Sequence, residues 1–212
     1  MRYYPVFLDL RGKKALVIGG GKVAERKIRT LIRAGASLTV VSPRITKLLS
    51  RLKRKGLITH IPRHYRKGDL KDAFVVIIAT SSFETNSKVA RDTGELPRLI
   101  NVIDSPFNGN FIVPSTMRRG HLTIAISTEG YSPAVAKTIR KELERLYDRE
   151  FGRYLKFLGA IRKRAMNEIK DNKKRERFLK RLASKEMFNI LRSRGFKSAS
   201  EKMNQLVDYY LT

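Results

Sequence analysis

The sequence predicts an α/β protein, with a mainly parallel sheet wrapped by helices at its start and a small helical region at its end. Three observations predict it. The apolar segment Ala15–Ile18 runs into Gly19-Gly20-Gly21 and then into a helical pattern. Strand and helix patterns alternate from there to Val102. After Phe151 no strand pattern occurs. An order β-α-β-α-β-β-α-β requires parallel strands joined by crossover helices.

The glycine turn is the most specific element. In Val17-Ile18-Gly19-Gly20-Gly21-Lys22-Val23-Ala24 the spacing is G-x-G-x-x-A, set between a strand and a helix. Gly19 permits a tight turn, and Gly21 lets bare backbone approach a pyrophosphate. Ala24 packs the helix against its strand. The helix N-terminus supplies free N–H groups and the positive end of a dipole. This is a Rossmann-type dinucleotide signature, and it nominates Gly19, Gly20, Gly21, Lys22 and Val23 for the pyrophosphate.

The remaining elements follow in order. The first helix, about 22–34, stops at Gly35, and 38–41 reads as the second strand. Pro43 opens a basic helix to about Lys55, ended by Gly56. Strands at 57–61 and 73–79 follow, then a helix over about 84–93 and a strand at 99–102. Two further strands are expected at 111–114 and 121–127 around a turn at Arg118-Arg119-Gly120. Ser132-Pro133 is an N-cap with proline at the first helical position. Val135, Ile139, Leu143 and Leu146 then mark one buried face. Ser198-Ala199-Ser200-Glu201 reads as a capping box for the last helix. The tail looks too short for a large core of its own and is expected to pack on a neighbour.

Composition narrows the class. The 212 residues carry no cysteine, which removes disulfides, thiol catalysis and iron–sulfur ligation. No apolar run approaches the roughly 18 residues of a membrane span. The N-terminus lacks the pattern of a signal peptide, so a cytoplasmic location is expected. A formal net charge of +27, spread over the whole chain, attracts polyanions: nucleic acid, an anionic membrane or a substrate with many carboxylates.

In sheets of this kind ligands sit beyond the carboxyl ends of the strands. The loops after Ile18, Val41, Ala79 and Val102 should therefore share one crevice. Sites for NAD commonly place an acid about 20 residues past the glycines to hold the ribose. Here that stretch is Thr39-Val40-Val41-Ser42-Pro43-Arg44, with no acid. Ser42 suits a ribose hydroxyl or a helix cap, and Arg44 suits a 2′-phosphate, so NAD and NADP both stay open. Thr80 and Ser81 face the nicotinamide side, with Asn86 beyond them as cap or ligand. Asp104, in Asn101-Val102-Ile103-Asp104-Ser105-Pro106, is a candidate general base or a turn-stabilising residue. His60 and His64 straddle Pro62 and His121 starts a strand. No set of ligand types has metal spacing, so the metal question is left unknown.

Taken together, YPVFLDL, VIGGGKVAERK, TVVSP, ATSS, NVIDSP, FIVPS and AISTEGYSP resemble, in order, the siroheme synthase N-terminal family. That family comprises precorrin-2 dehydrogenases and bifunctional dehydrogenase–ferrochelatases. The resemblance implies three domains: 1–113 for NAD binding, 114–147 for dimerisation, and 148–212 as a helical domain. It implies oxidation of precorrin-2 to sirohydrochlorin with NAD as acceptor, in an intertwined homodimer. It places the family's aspartate on Asp104, while the residues themselves assign Ser42 to the ribose, with Pro43 next to it in the cofactor site. Two departures stand out. The loop Ser127-Thr128-Glu129-Gly130 has Thr-Glu where the family often has Ser-Gly, and ATSS replaces a more acidic version. One alternative is a bifunctional enzyme that also inserts Fe2+ into sirohydrochlorin. A distant alternative is an NAD-sensing nucleic-acid binder, supported by charge alone. A chain ending at Thr212 is expected to lack the methyltransferase domain of longer siroheme synthases.

Overall fold

A computed structural model describes residues 2–93, 98–103 and 108–211. The chain divides into two compact units, Met1–Val113 and Pro114–Thr212.

In the first unit, β1 (Lys14–Ile18), β2 (Ser37–Val41), β3 (Thr59–Ile61), β4 (Val75–Ile78) and β5 (Leu99–Val102) form one sheet. Its order is β3-β2-β1-β4-β5, and every neighbouring pair is parallel. β1 sits at the centre and β4 is buried along its whole length, as a strand covered on both faces must be. Alternate side chains then feed two cores. Val17, Val40 and Ile77 pack with Ile28 and Leu49 on one face, while Leu16, Ile18, Val76 and Ile78 pack with Val89 on the other. The helix α1 (Lys22–Arg33) buries Ala24, Ile28 and Leu31, spaced four and three apart on one stripe. Each large aliphatic side chain so buried stabilises the fold by about 1.5–3 kcal/mol.

The other helices of this unit are α2 (Lys47–Arg54) and α3 (Phe83–Thr93). α2 begins four residues later than Pro43 suggests. Thr46 is the cap, accepting from the Leu49 N–H at 3.2 Å, and 43–45 are spent as loop. α3 is started by Ser82, whose Oγ accepts from the Thr85 N–H at 3.1 Å, so Asn86 is not its cap. Tyr65 anchors the far core by donating to Asp92 (3.1 Å), and burial holds its phenol well above the ordinary range.

The second unit opens with a hairpin, β6 (Ser115–Arg119) and β7 (Leu122–Ile126), paired antiparallel with Arg119 opposite Leu122. The first hairpin strand is thus not 111–114, and Arg118-Arg119 are strand rather than turn. The reversal falls on Gly120-His121, where Gly120 adopts φ 56°. That left-handed conformation suits glycine, and a two-residue loop preserves strand register.

α4 (Pro133–Leu146), α5 (Arg149–Glu168), α6 (Asn172–Leu182) and α7 (Lys185–Leu211) follow. Ser132 caps α4 through the Val135 N–H. The face of α4 expected to be buried is open: Val135 is 49% exposed, Ile139 36% and Leu146 46%, and only Ala136 is buried. The tail is more self-sufficient than its length suggests. Phe151, Tyr154, Ile161, Phe178, Leu182, Met187 and Met203 close one core among α5, α6 and α7. Tyr154, fully buried, donates to the Leu182 carbonyl, and burial pushes its phenol up to about 12.

α7 is two helical segments joined at Gly195 (φ 74°, ψ −179°). The second segment starts at Phe196, whose N–H donates to Glu150 Oε2 at 2.8 Å. Ser198–Glu201 therefore lie inside a helix rather than capping one, and the cap comes from α5.

Candidate functional site

The crevice is built at the carboxyl ends of the central strands. After β1 the chain turns at Gly19, whose N–H donates to the Val41 carbonyl at 3.0 Å. Gly19 has φ 112°, and a Cβ there would lie 2.2 Å from the Ala79 carbonyl oxygen. A Cβ on Gly20 would lie 2.2 Å from the Arg44 carbonyl oxygen. These contacts explain two of the three glycines as close approaches between loops. Gly21 differs, since among the described residues nothing beyond its own neighbours in the chain lies within 4 Å of the position a Cβ would take. Gly21 itself stands at the start of α1.

Gly21 is the N-cap of α1 and brings no side chain to it. Among the described residues the N–H groups of Lys22, Val23 and Ala24 have no acceptor, whereas Glu25 N–H bonds the Gly21 carbonyl at 3.0 Å. Three free donors and a positive dipole end meet at the start of α1, and Lys22 there is exposed. That arrangement fits a pyrophosphate.

Two residues that the sequence reading did not single out organise this turn. Thr46 donates its N–H to the Gly20 carbonyl (3.1 Å) and its hydroxyl to Glu25 Oε2 (2.6 Å), while capping α2. The Glu25 carboxylate is thereby held by Thr46 and, among the described residues, accepts from none of the free N–H groups. A threonine three residues before the apolar Leu49 was the available signal.

The other nominated residues sit around the same strand ends. Ser42 is nearly buried and donates to the Arg44 carbonyl at 2.7 Å. It shapes the 42–46 loop and keeps an oxygen lone pair to offer. Pro43 and Arg44 continue that loop beside His60, whose Nε2 donates to the Ser42 carbonyl at 2.9 Å. Thr80 donates to Asn86 Oδ1 (2.6 Å), and Asn86 Nδ2 returns a bond to the Thr80 carbonyl (3.2 Å). Asn86 therefore braces the 79–82 loop, and Ser81 remains exposed on it. Ile103 N–H bonds the Ile78 carbonyl at 3.0 Å, carrying the β5 segment to the same edge. Asp104 follows in the chain but lies outside the described residues.

Asn110 was missed as well. Its Oδ1 accepts from Ile100 N–H (2.7 Å) and its Nδ2 donates to the Arg98 carbonyl (2.7 Å), so one side chain pairs with the outer edge of β5. His64 and His121 are exposed. Among the described residues no three of His, Asp and Glu gather to hold a metal ion.

The family model described as "Putative NAD(P)-binding" matches residues 6–115, and "Sirohaem biosynthesis protein central" matches 119–146. The chain belongs to the sirohaem biosynthesis family. Among its curated relatives, "Siroheme synthase 1" of Aeromonas salmonicida is 36% identical over 98% of this chain and 44% of its own length. "Siroheme synthase" of Thioalkalivibrio sulfidiphilus is 33% identical over 98% of this chain and 42% of its own. The chain thus spans less than half the length of these relatives. The solved structure titled "SirC, precorrin-2 dehydrogenase" superposes with a TM-score of 0.81 at 27% identity, covering 96% of this chain and 100% of that one. Within the sirohaem family frame the glycine turn of this chain is the start of an NAD(P)-binding domain. Among the described residues no helix is long and apolar enough to cross a membrane.

Proposed function

We propose that the protein oxidises precorrin-2 to sirohydrochlorin with NAD as hydride acceptor. The main support is the full-length superposition on a precorrin-2 dehydrogenase, joined to a glycine turn with free donors and an open face at Gly21. The bound nicotinamide supplies the electron sink for a hydride. The chain does the rest. The N–H groups of Lys22, Val23 and Ala24 bind the pyrophosphate, and the 42–44 loop holds the ribose through Ser42. The braced Thr80–Ser81 loop walls the nicotinamide side. Asp104 takes the proton that leaves the substrate as the hydride departs, so that both hydrogens are accounted for. A chain of net charge +27 concentrates a polycarboxylate tetrapyrrole near the crevice before any specific contact forms.

The domain assignment goes with this reading: nucleotide binding in 1–113, dimerisation through 114–147, and a helical domain over 148–212. The apolar residues left open on α4 support a homodimer. Insertion of Fe2+ into the product is the second reading, because the relatives are named siroheme synthases and siroheme contains iron.

The test is anaerobic incubation of the protein with precorrin-2 and NAD+, followed by absorption with and without Fe2+. NAD+-dependent formation of sirohydrochlorin is the expected result. A further iron-dependent shift above the uncatalysed rate adds the second activity. No turnover with either nicotinamide cofactor overturns the dehydrogenase assignment. The Asp104→Ala variant should lose about 100-fold or more in kcat with little change in cofactor affinity.

A further inference from the structure

Beside the proposed ribose position lies an open groove of about 670 Å³ whose walls include Arg44, Ser50, Lys53, Arg54 and His60. Among the described residues no acidic side chain lines it. We propose that this groove receives a phosphomonoester on the adenosine ribose, so that the protein accepts NADP+ as well as NAD+. The inference rests on the dinucleotide reading above and goes beyond it in naming a second anion site.

Four observations carry it. First, β2 runs into Ser42-Pro43-Arg44, with no carboxylate at the place where NAD-selective sites hold the ribose diol and repel a 2′-phosphate. Second, the loop is fixed rather than free. Ser42 Oγ bonds the Arg44 carbonyl at 2.7 Å, Thr46 N–H bonds the Gly20 carbonyl at 3.1 Å, and Gly20 packs on the Arg44 backbone. Arg44 is therefore held next to the glycine turn. Third, Arg44, Lys53 and Arg54 make no ion pair among the described residues, so their charge is available to a ligand. Lys53 and Arg54 also favour the C-terminal dipole of α2, but Arg44 precedes that helix and gains nothing from it. Fourth, His60 is pinned at the groove by its bond to the Ser42 carbonyl, and Ser50 adds a hydroxyl. Arginine with lysine around a concave surface is the donor set that suits a dianionic phosphate.

The experiment measures dissociation constants of NAD+ and NADP+ by calorimetry for the wild-type protein and for the K53A/R54A double variant. Both side chains are exposed on α2, so their removal leaves the core intact. Wild type should bind NADP+ at least as tightly as NAD+. The double variant should weaken NADP+ by about tenfold and NAD+ by less than about twofold. Wild-type binding of NAD+ with NADP+ weaker by more than about tenfold overturns the second anion site and leaves the dinucleotide reading standing. Equal weakening of both ligands in the variant also overturns it, since that marks a diffuse field. Binding of neither overturns the nucleotide site and this groove with it.

Discussion

At Gly19 and Gly21 the same residue type is required for different reasons, and substitution separates them. An alanine Cβ at Gly19 would press to 2.2 Å from the Ala79 carbonyl oxygen at a φ of 112°. Backbone has to move, and Gly19→Ala should cost more than about 3 kcal/mol in chemical denaturation. At Gly21 φ is −80° and the Cβ position is open. Gly21→Ala should change stability by less than about 1 kcal/mol yet weaken NAD+ by about tenfold or more, because the methyl fills the phosphate space. Equal effects of the two on stability would remove the distinction. The glycine spacing itself was legible in the sequence because backbone sterics leave few alternatives there. The roles of Thr46, Glu25 and Asn110 were not, since each depends on a partner 10 to 21 residues away that no local pattern encodes.

Elements were legible where hydrophobic period and burial coincide, as in β4 and in the Ala24–Ile28–Leu31 stripe of α1. They were misread where a cap or turn is supplied by something other than the expected residue. Pro43 starts no helix because its loop packs on Gly20, and the Gly120-His121 reversal moved the hairpin strand onto the arginines. α7 is the clearest case. Its second segment is started by Glu150, whose carboxyl is held below the usual glutamate range by the Phe196 N–H and then by Arg153. A depressed folded pKa means that this stabilisation is complete above the ordinary glutamate value, about 4.3, and is lost as the pH falls through the folded value. Glu150→Gln should therefore lower the melting temperature of the protein at pH 7, and the gap from wild type should close in acid. A gap that persists below about pH 3 would mean that shape, not charge, matters there. The exposed stripe on α4 carries its own expectation. Ile139→Glu should sediment as a monomer with unchanged helical content if this face joins two copies, because a charge cannot be buried there unpaired.

For the whole molecule the dominant quantity is the charge. A field from +27 acts on encounter more than on the bound state. Raising salt from about 0.05 to about 0.5 M should raise KM for the tetrapyrrole several-fold with kcat nearly constant, since screening shortens the reach of the field from about 14 Å to about 4 Å. A salt-independent KM would remove electrostatic capture from the proposal. The layout of the sheet bears on how the chain is made. β1 is the central strand, yet its partner β4 begins at Val75, long after β2 and β3 have been synthesised. Emerging from the ribosome, residues 14–61 can zip into half a sheet whose β1 edge stays bare until Val75–Ile78 arrive. That edge, Ala15 to Ile18, is almost wholly apolar, and nascent chains on crowded polysomes expose it to one another. Slow translation between codons 62 and 74 would prolong the hazard, and a chaperone that shields that edge co-translationally would raise the yield of folded protein.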